Sequence, residues 1–155
     1  VMGIDKTFEM AYLKSQLAAG QIIPEQGKVF ISVSDKHKED VVSLGQQLIN
    51  MGFKLSATRG TSKVLKNAGL EVKCINKIAE GRPNVVDHII NDEIKLLLMT
   101  ASGGDYYSEE SELRQAALTH NIPVVTTFSA AKATVKSLQN YSRQEIDVKA
   151  IQEYY

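Results

Sequence analysis

Leu55-Ser56-Ala57-Thr58-Arg59-Gly60-Thr61-Ser62 follows a short apolar strand signal, Phe53-Lys54-Leu55, and opens a helical pattern from Thr61 to Asn67. A strand that ends in Thr-x-Gly-Thr and turns at once into a helix is suited to holding an anion. The glycine lets a ligand approach the backbone closely, and the first free N–H groups of the helix carry a partial positive charge. Two threonine hydroxyls flank the turn and can donate to phosphate oxygens. The same residues also fit an ordinary strand-to-helix turn with Thr61 as its N-cap.

Outward from this corner the pattern alternates. Lys28 to Val33 reads as a buried strand, and Ser34-Asp35 as the cap of a helix from about Lys36 to Met51, stopped by Gly52. Glu71 to Asn76 is a third strand, and Asn84 caps a short helix with Asp87 in capping-box position. Lys95 to Thr100 is a fourth strand. A helix from about Glu109 to Thr119, a fifth strand from Pro123 to Thr126, and a helix from about Ser129 to Leu138 complete the series. Short apolar strands separated by helices predict a three-layer α/β sandwich around a five-stranded parallel sheet.

Residues 1–26 differ in character. Asp5 is expected to cap a helix with Phe8, Ala11 and Tyr12 on its apolar face, and a breaker-rich link through Pro24 and Gly27 follows. This segment reads as the end of a preceding region, with the main domain spanning 27–155 and the chain excised from a longer protein.

Composition narrows the function. The 155 residues include 18 basic and 18 acidic side chains, which gives no basic excess of the kind nucleic-acid binding requires. The single cysteine, Cys74, excludes an internal disulfide framework and fits a reducing, cytoplasmic setting. No apolar run reaches membrane-spanning length.

In parallel sheets, ligands bind beyond the C-terminal ends of the strands. The rim of such a crevice would be Ser32 to Lys38, Thr58 to Thr61, Asn76-Lys77, Thr100 to Gly104 and Thr126 to Ser129. Lys38 and Lys77, converging on Thr58, Gly60 and Thr61, would make a cradle for one phosphate monoester. Each lysine alone also fits a plain solvated side chain. No Walker lysine motif or dinucleotide glycine loop is present. The acid–base candidates are Asp35, Asp87, Asp105, His37, His88 and His120. They form no metal-ligand spacing, paired-carboxylate pattern or nucleophile elbow, so no catalytic residue is assigned.

Val29 to Lys38, Gly52-Phe53, Ala57 to Thr61, Asn76-Lys77, Glu80 to Pro83 and Ile122 to Val125 resemble the methylglyoxal-synthase-like, Rossmann-like domain. More narrowly, they resemble the allosteric domain that ends the large subunit of bacterial glutamine-hydrolysing carbamoyl phosphate synthases. The opening Val1 to Phe8 is similar to the end of the ATP-grasp half that precedes that domain. The resemblance implies a regulatory module for a nucleotide monophosphate, UMP as inhibitor or IMP as activator. It places Lys38, Thr58, Gly60, Thr61 and Lys77 at the phosphate, and Ser32, Met99, Thr100, Ala101, Ser102 and Glu109 near ribose and base. It also implies partners, namely the rest of the large subunit and a glutaminase small subunit. The parent's ATP and its Mg or Mn would be bound outside this chain. Tyr106, Tyr107, Tyr154 and Tyr155 are candidate contacts between copies.

The sequence departs from the nucleotide-regulated pattern Asn-Thr-Thr-Ser, having Met99-Thr100-Ala101-Ser102. Losing an amide and a hydroxyl removes two potential hydrogen bonds of roughly 0.5–1.5 kcal/mol each. Two relatives offer other readings. A methylglyoxal-forming lyase carries a catalytic aspartate in Gly-Gly-Asp, where this chain has Gly81-Arg82-Pro83. An IMP cyclohydrolase-like domain shares Ser32 to Lys36 but continues into a Lys-Thr-Leu-His-Pro loop that is absent here.

Overall fold

The computed structural model describes residues 1–100, 107–141 and 146–154. Five strands, β1 (Lys28–Ser32), β2 (Lys54–Ala57), β3 (Val72–Cys74), β4 (Ile94–Met99) and β5 (Val124–Val125), form one sheet in the order β3-β2-β1-β4-β5. Every pairing is parallel. Among the described residues six α-helices accompany them: α1 (Phe8–Ala18), α2 (Val41–Asn50), α3 (Arg59–Asn67), α4 (Val85–Ile90), α5 (Tyr107–Thr119) and α6 (Phe128–Tyr141). The expected five-stranded α/β architecture is the one observed.

The strands alternate with the two-residue period of a pleated sheet. Val29 and Ile31 of β1, with Leu96 and Leu98 of β4, join Leu44, Leu48, Leu65 and Val135 in one core. Phe30, Leu97 and Met99 point the other way and meet Val85, Ile89, Leu113 and Ala117. The sheet is therefore covered on both faces, by α2, α3 and α6 on one side and by α4 and α5 on the other. Between β1 and β4 the order of the strands reverses, and the crevice lies at their C-terminal ends.

Two expectations about the first helix are corrected. Thr7, not Asp5, is the N-cap of α1, its Oγ1 accepting from the Met10 amide at 3.4 Å. Asp5 instead pairs with Lys14 at 2.7 Å. The buried face is Met10 and Leu13, whereas Phe8 is 66% exposed. The reason is the partner. Helix α1 lies on α6, where Ser137 Oγ–H donates to the Glu9 carbonyl (2.9 Å) and Tyr12 Oη lies 3.3 Å from Thr134 Oγ1.

The helix expected over 36–51 is also divided. A 3-10 turn at Asp35–His37 comes first, then α2 from Val41. Side-chain pairs hold that turn: Lys38 bonds back to Asp35, and the His37 ring stacks on Phe128 at 4.5 Å and 9°. The capping box at Asn84 forms as read, with Asn84 Oδ1 accepting from Val86 N at 3.0 Å and Asp87 Oδ2 from Asn84 N at 2.8 Å.

At the opposite end of the sheet from the crevice, Glu93 Oε2 lies 2.8 Å from His88 Nδ1 and 3.1 Å from Lys28 Nζ. The His88 and Lys28 hydrogen bonds hold the Glu93 carboxyl down from 4.5 to about 2. The folded value lies below the unfolded one, so this stabilisation is complete above about pH 4.5. It is lost as pH falls toward 2. The difference in urea-unfolding free energy between the wild type and Glu93→Gln should therefore shrink between those values; a pH-independent difference would exclude the cluster as its source. Urea unfolding should also separate the faces of α1. Leu13→Ala is expected to cost about 2–5 kcal/mol, and Phe8→Ala no more than about 0.5 kcal/mol.

Candidate functional site

The crevice is built where the chain leaves β1. Beyond Ser32 the backbone quits the sheet, and neighbouring strands supply side chains to its amides. Val33 N donates to Thr61 Oγ1 at 3.3 Å and Ser34 N to Thr100 Oγ1 at 2.8 Å. Ser32 Oγ itself lies 3.4 Å from Thr58 Oγ1. Three adjacent strand ends are thus tied to one another by hydroxyls.

Helix α3 begins one residue after Thr58, which is its N-cap with φ −64° and ψ 160°. The expectation that Thr61 caps the helix is corrected: Thr61 lies in the first turn, 1% exposed, with its oxygen committed to Val33. The first intrahelical bond is Ser62 N to Thr58 O, 2.7 Å. The amides of Arg59, Gly60 and Thr61 precede it and have no carbonyl within the helix, as at any helix start.

Lys38 lies over this corner. Its Nζ is 3.1 Å from the position a Cβ at Gly60 would take. A side chain at residue 60 would press on the ammonium, so glycine here is a matter of close approach. Lys77 begins the 3-10 turn Ile78–Glu80 on the next rim segment. Its charge, after the Lys38 hydrogen bond, helps to lower the Asp35 carboxyl below its ordinary value, which puts both lysines in the field of one carboxylate.

Ser32, Thr58, Lys77, Met99, Thr100 and Glu109 line a single cavity of about 50 Å³. Lys38, Gly60 and Thr61 do not line it; they meet at the start of α3, where Thr61 Oγ1 is 3.5 Å from Thr58 Oγ1 and Lys38 lies on Gly60. Carboxylates bind the amides of this rim: Glu109 Oε1 accepts from Ala79 N at 3.1 Å across two segments, and Glu80 Oε2 accepts from Lys77 N at 2.8 Å within its own turn. Arg59 reaches Glu80 at 3.9 Å. Ala101 and Ser102, and with them Asp105, Tyr106 and Tyr155, lie outside the described residues.

Among the described residues the acid–base candidates do not gather here. Arg82 Nε donates to Asp87 Oδ1 at 2.9 Å, and this bonding holds Asp87 below the usual carboxylate range. His88 belongs to the Glu93 cluster, His120 is exposed just after α5, and His37 stacks on Phe128. Asp35, an acid–base candidate on the Ser32 to Lys38 rim, is placed there by the structure, but its pairing with Lys38 was not foreseen. Read as a helix cap, it makes no capping bond and instead pairs with Lys38. The signal was its i,i+3 spacing to that lysine.

A separate cavity of about 390 Å³ lies between α1, the linker and β5, lined by Leu13, Ile23, Leu96 and Leu138. Its one charged lining residue among those described, Arg114, is 3.6 Å from Glu110, so it offers no comparable anion cradle.

The MGS-like domain model matches residues 40–126. The carbamoyl phosphate synthase large chain of Rhodopirellula baltica is 41% identical over 155 residues, covering 100% of this chain and 14% of its own length. The large chain's C-terminal section from Aquifex aeolicus is 41% identical over 160 residues, covering 100% of this chain and 30% of its own. The crystal structure of methylglyoxal synthase from Elizabethkingia anophelis superposes with a TM-score of 0.57 at 18% identity, over 82% of this chain and 97% of that one. At that identity the superposition establishes the fold alone. The family match and the identity over the whole chain agree with the strand order and with the crevice between β1 and β4: the chain belongs to the MGS-like domain family and is a homologue of the C-terminal part of carbamoyl phosphate synthase large chains.

Proposed function

We propose that this chain is the regulatory region of a carbamoyl phosphate synthase large chain and binds a nucleoside monophosphate, UMP or IMP, by its phosphate. The observation that carries this reading is the Lys38 ammonium lying against Gly60 at the amino end of α3. Beside it is the cavity that Lys77 shares with the Ser32, Thr58 and Thr100 hydroxyls. Two point charges and a set of helix-start amides suit a phosphoryl group, and nothing in the arrangement calls for it to react.

The cavity of about 50 Å³ is far below the roughly 300 Å³ at which small-molecule sites begin. In this reading the nucleoside opens the rim, and one contact it would break is Glu109 with the Ala79 amide. Binding linked to opening is what regulation needs. An effector shifts an equilibrium only by its difference in affinity for two arrangements. In this reading ATP, Mg or Mn, the glutaminase subunit and the synthetic reaction belong to the remainder of a cytoplasmic enzyme, since the chain spans 14% of its full-length relative. The lyase alternative draws on the methylglyoxal synthase fold, but Gly81-Arg82-Pro83 supplies no carboxylate where that chemistry is expected.

Calorimetric titration with UMP, IMP and inorganic phosphate tests the proposal. Lys38→Ala and Lys77→Ala should each weaken phosphate-bearing ligands about tenfold or more, as expected for a charged hydrogen bond of roughly 1.5–3 kcal/mol. Affinities unchanged in both variants would overturn it, and methylglyoxal formation from dihydroxyacetone phosphate would favour the lyase instead.

A further inference from the structure

The loop that carries Lys38 brings its own anion. Asp35 opens the 3-10 turn and Lys38 closes it, so carboxylate and ammonium meet as an ion pair at the mouth of the crevice. The two sides of that pair are unequal: the Lys38 side chain is 25% exposed and that of Asp35 is 96% exposed. On its inner side the ammonium rests on Gly60, 3.1 Å from the Cβ position there. An ammonium donates in three directions from one small head. With the inner side closed by α3, the carboxylate takes up donor capacity that an anion arriving from solvent would need. Lys77 also acts on this carboxylate, since its charge adds to the Lys38 hydrogen bond in lowering the Asp35 pKa.

Resting on the phosphate reading above, we propose that Asp35 is a built-in competitor that holds the Lys38 ammonium until an incoming phosphoryl group displaces it. A tethered carboxylate has the advantage of high local concentration. A phosphate monoester overcomes it with a charge of about −1.5 to −2 and three acceptor oxygens. Asp35 then sets the ligand concentration at which the site fills, and its carboxylate, already in solvent, releases the ammonium when it does. The exposure of the pair limits the size of the effect, because ion pairs of this kind shift equilibria by only about 2- to 5-fold.

The test is a double-mutant cycle read by calorimetric titration of inorganic phosphate into the 155-residue chain: wild type, Asp35→Asn, Lys38→Ala and the double variant. Asp35→Asn should bind phosphate about 2- to 5-fold more tightly than wild type, and the gain should vanish once Lys38 is absent. Wild-type binding that is unchanged or weaker in Asp35→Asn overturns the inference alone and leaves the cradle standing. A gain that persists in the Lys38→Ala background assigns the effect to the general field of the carboxylate and also overturns it. Phosphate binding by none of the four overturns the cradle and the inference together.

Discussion

A strand that leaves a parallel sheet carries backbone amides that its neighbours no longer pair, and in a crowded crevice those amides need acceptors. Here two threonines meet that need. Thr61, 28 residues on, takes Val33, and Thr100, 66 residues on, takes Ser34. Both hydroxyls are buried, so the two bonds are shielded from competing water. They fix the path of the β1 exit against the start of α3 on one side and the end of β4 on the other. The position of Lys38 over Gly60 follows from that path. A long flexible amine is thereby held close to a helix start by the course of its main chain.

The same stitching governs the electrostatics. Lysine side chains are expensive to order, and at Lys38 the Asp35 carboxylate offsets part of that cost; Glu80 and Glu109 instead take the main-chain amides of Lys77 and Ala79. Charge balance at the rim mirrors the chain as a whole, whose 18 basic and 18 acidic residues sum to zero. Diffuse attraction of anions is therefore weak, and selectivity has to come from short-range geometry at the corner.

What was legible in the sequence is what repeats locally. The apolar runs Val29-Phe30-Ile31 and Leu96-Leu97-Leu98 announce strands buried on both faces, and both faces are indeed filled. The Thr-Arg-Gly-Thr corner and the two lysines could be placed on one rim because strand polarity alone puts them there. What was not legible depends on partners distant in sequence. The buried face of α1 is chosen by α6, more than a hundred residues away, so Met10 and Leu13 turn inward although Phe8 is the more apolar-looking anchor. The division between Thr58 as cap and Thr61 as stitch turns on the Val33 amide, which nothing near residue 61 reveals. The break after His37 likewise depends on a ring stacked from the start of α6.

The part of the crevice that the proposed reading gives to the nucleobase shows how the two kinds of information combine. Met99 stands where the nucleotide-regulated pattern has an amide, and it is 5% exposed, within the cluster of Phe30, Val85 and Leu113. Its thioether thus serves the α4 and α5 layer and presents a polarizable, weakly accepting wall to the cavity. On the proposed reading, a nucleobase placed against it would gain dispersion contacts in place of the directed hydrogen bonds of an amide. The proposed phosphate half differs in kind, since its donors would be the α3-start amides, the Lys38 ammonium carried by the β1 exit and the Lys77 ammonium on the rim segment after β3. On the proposed reading, affinity is anchored at the end of the ligand common to all nucleotides. Discrimination between bases then falls to an apolar surface that distinguishes shape better than hydrogen-bond pattern.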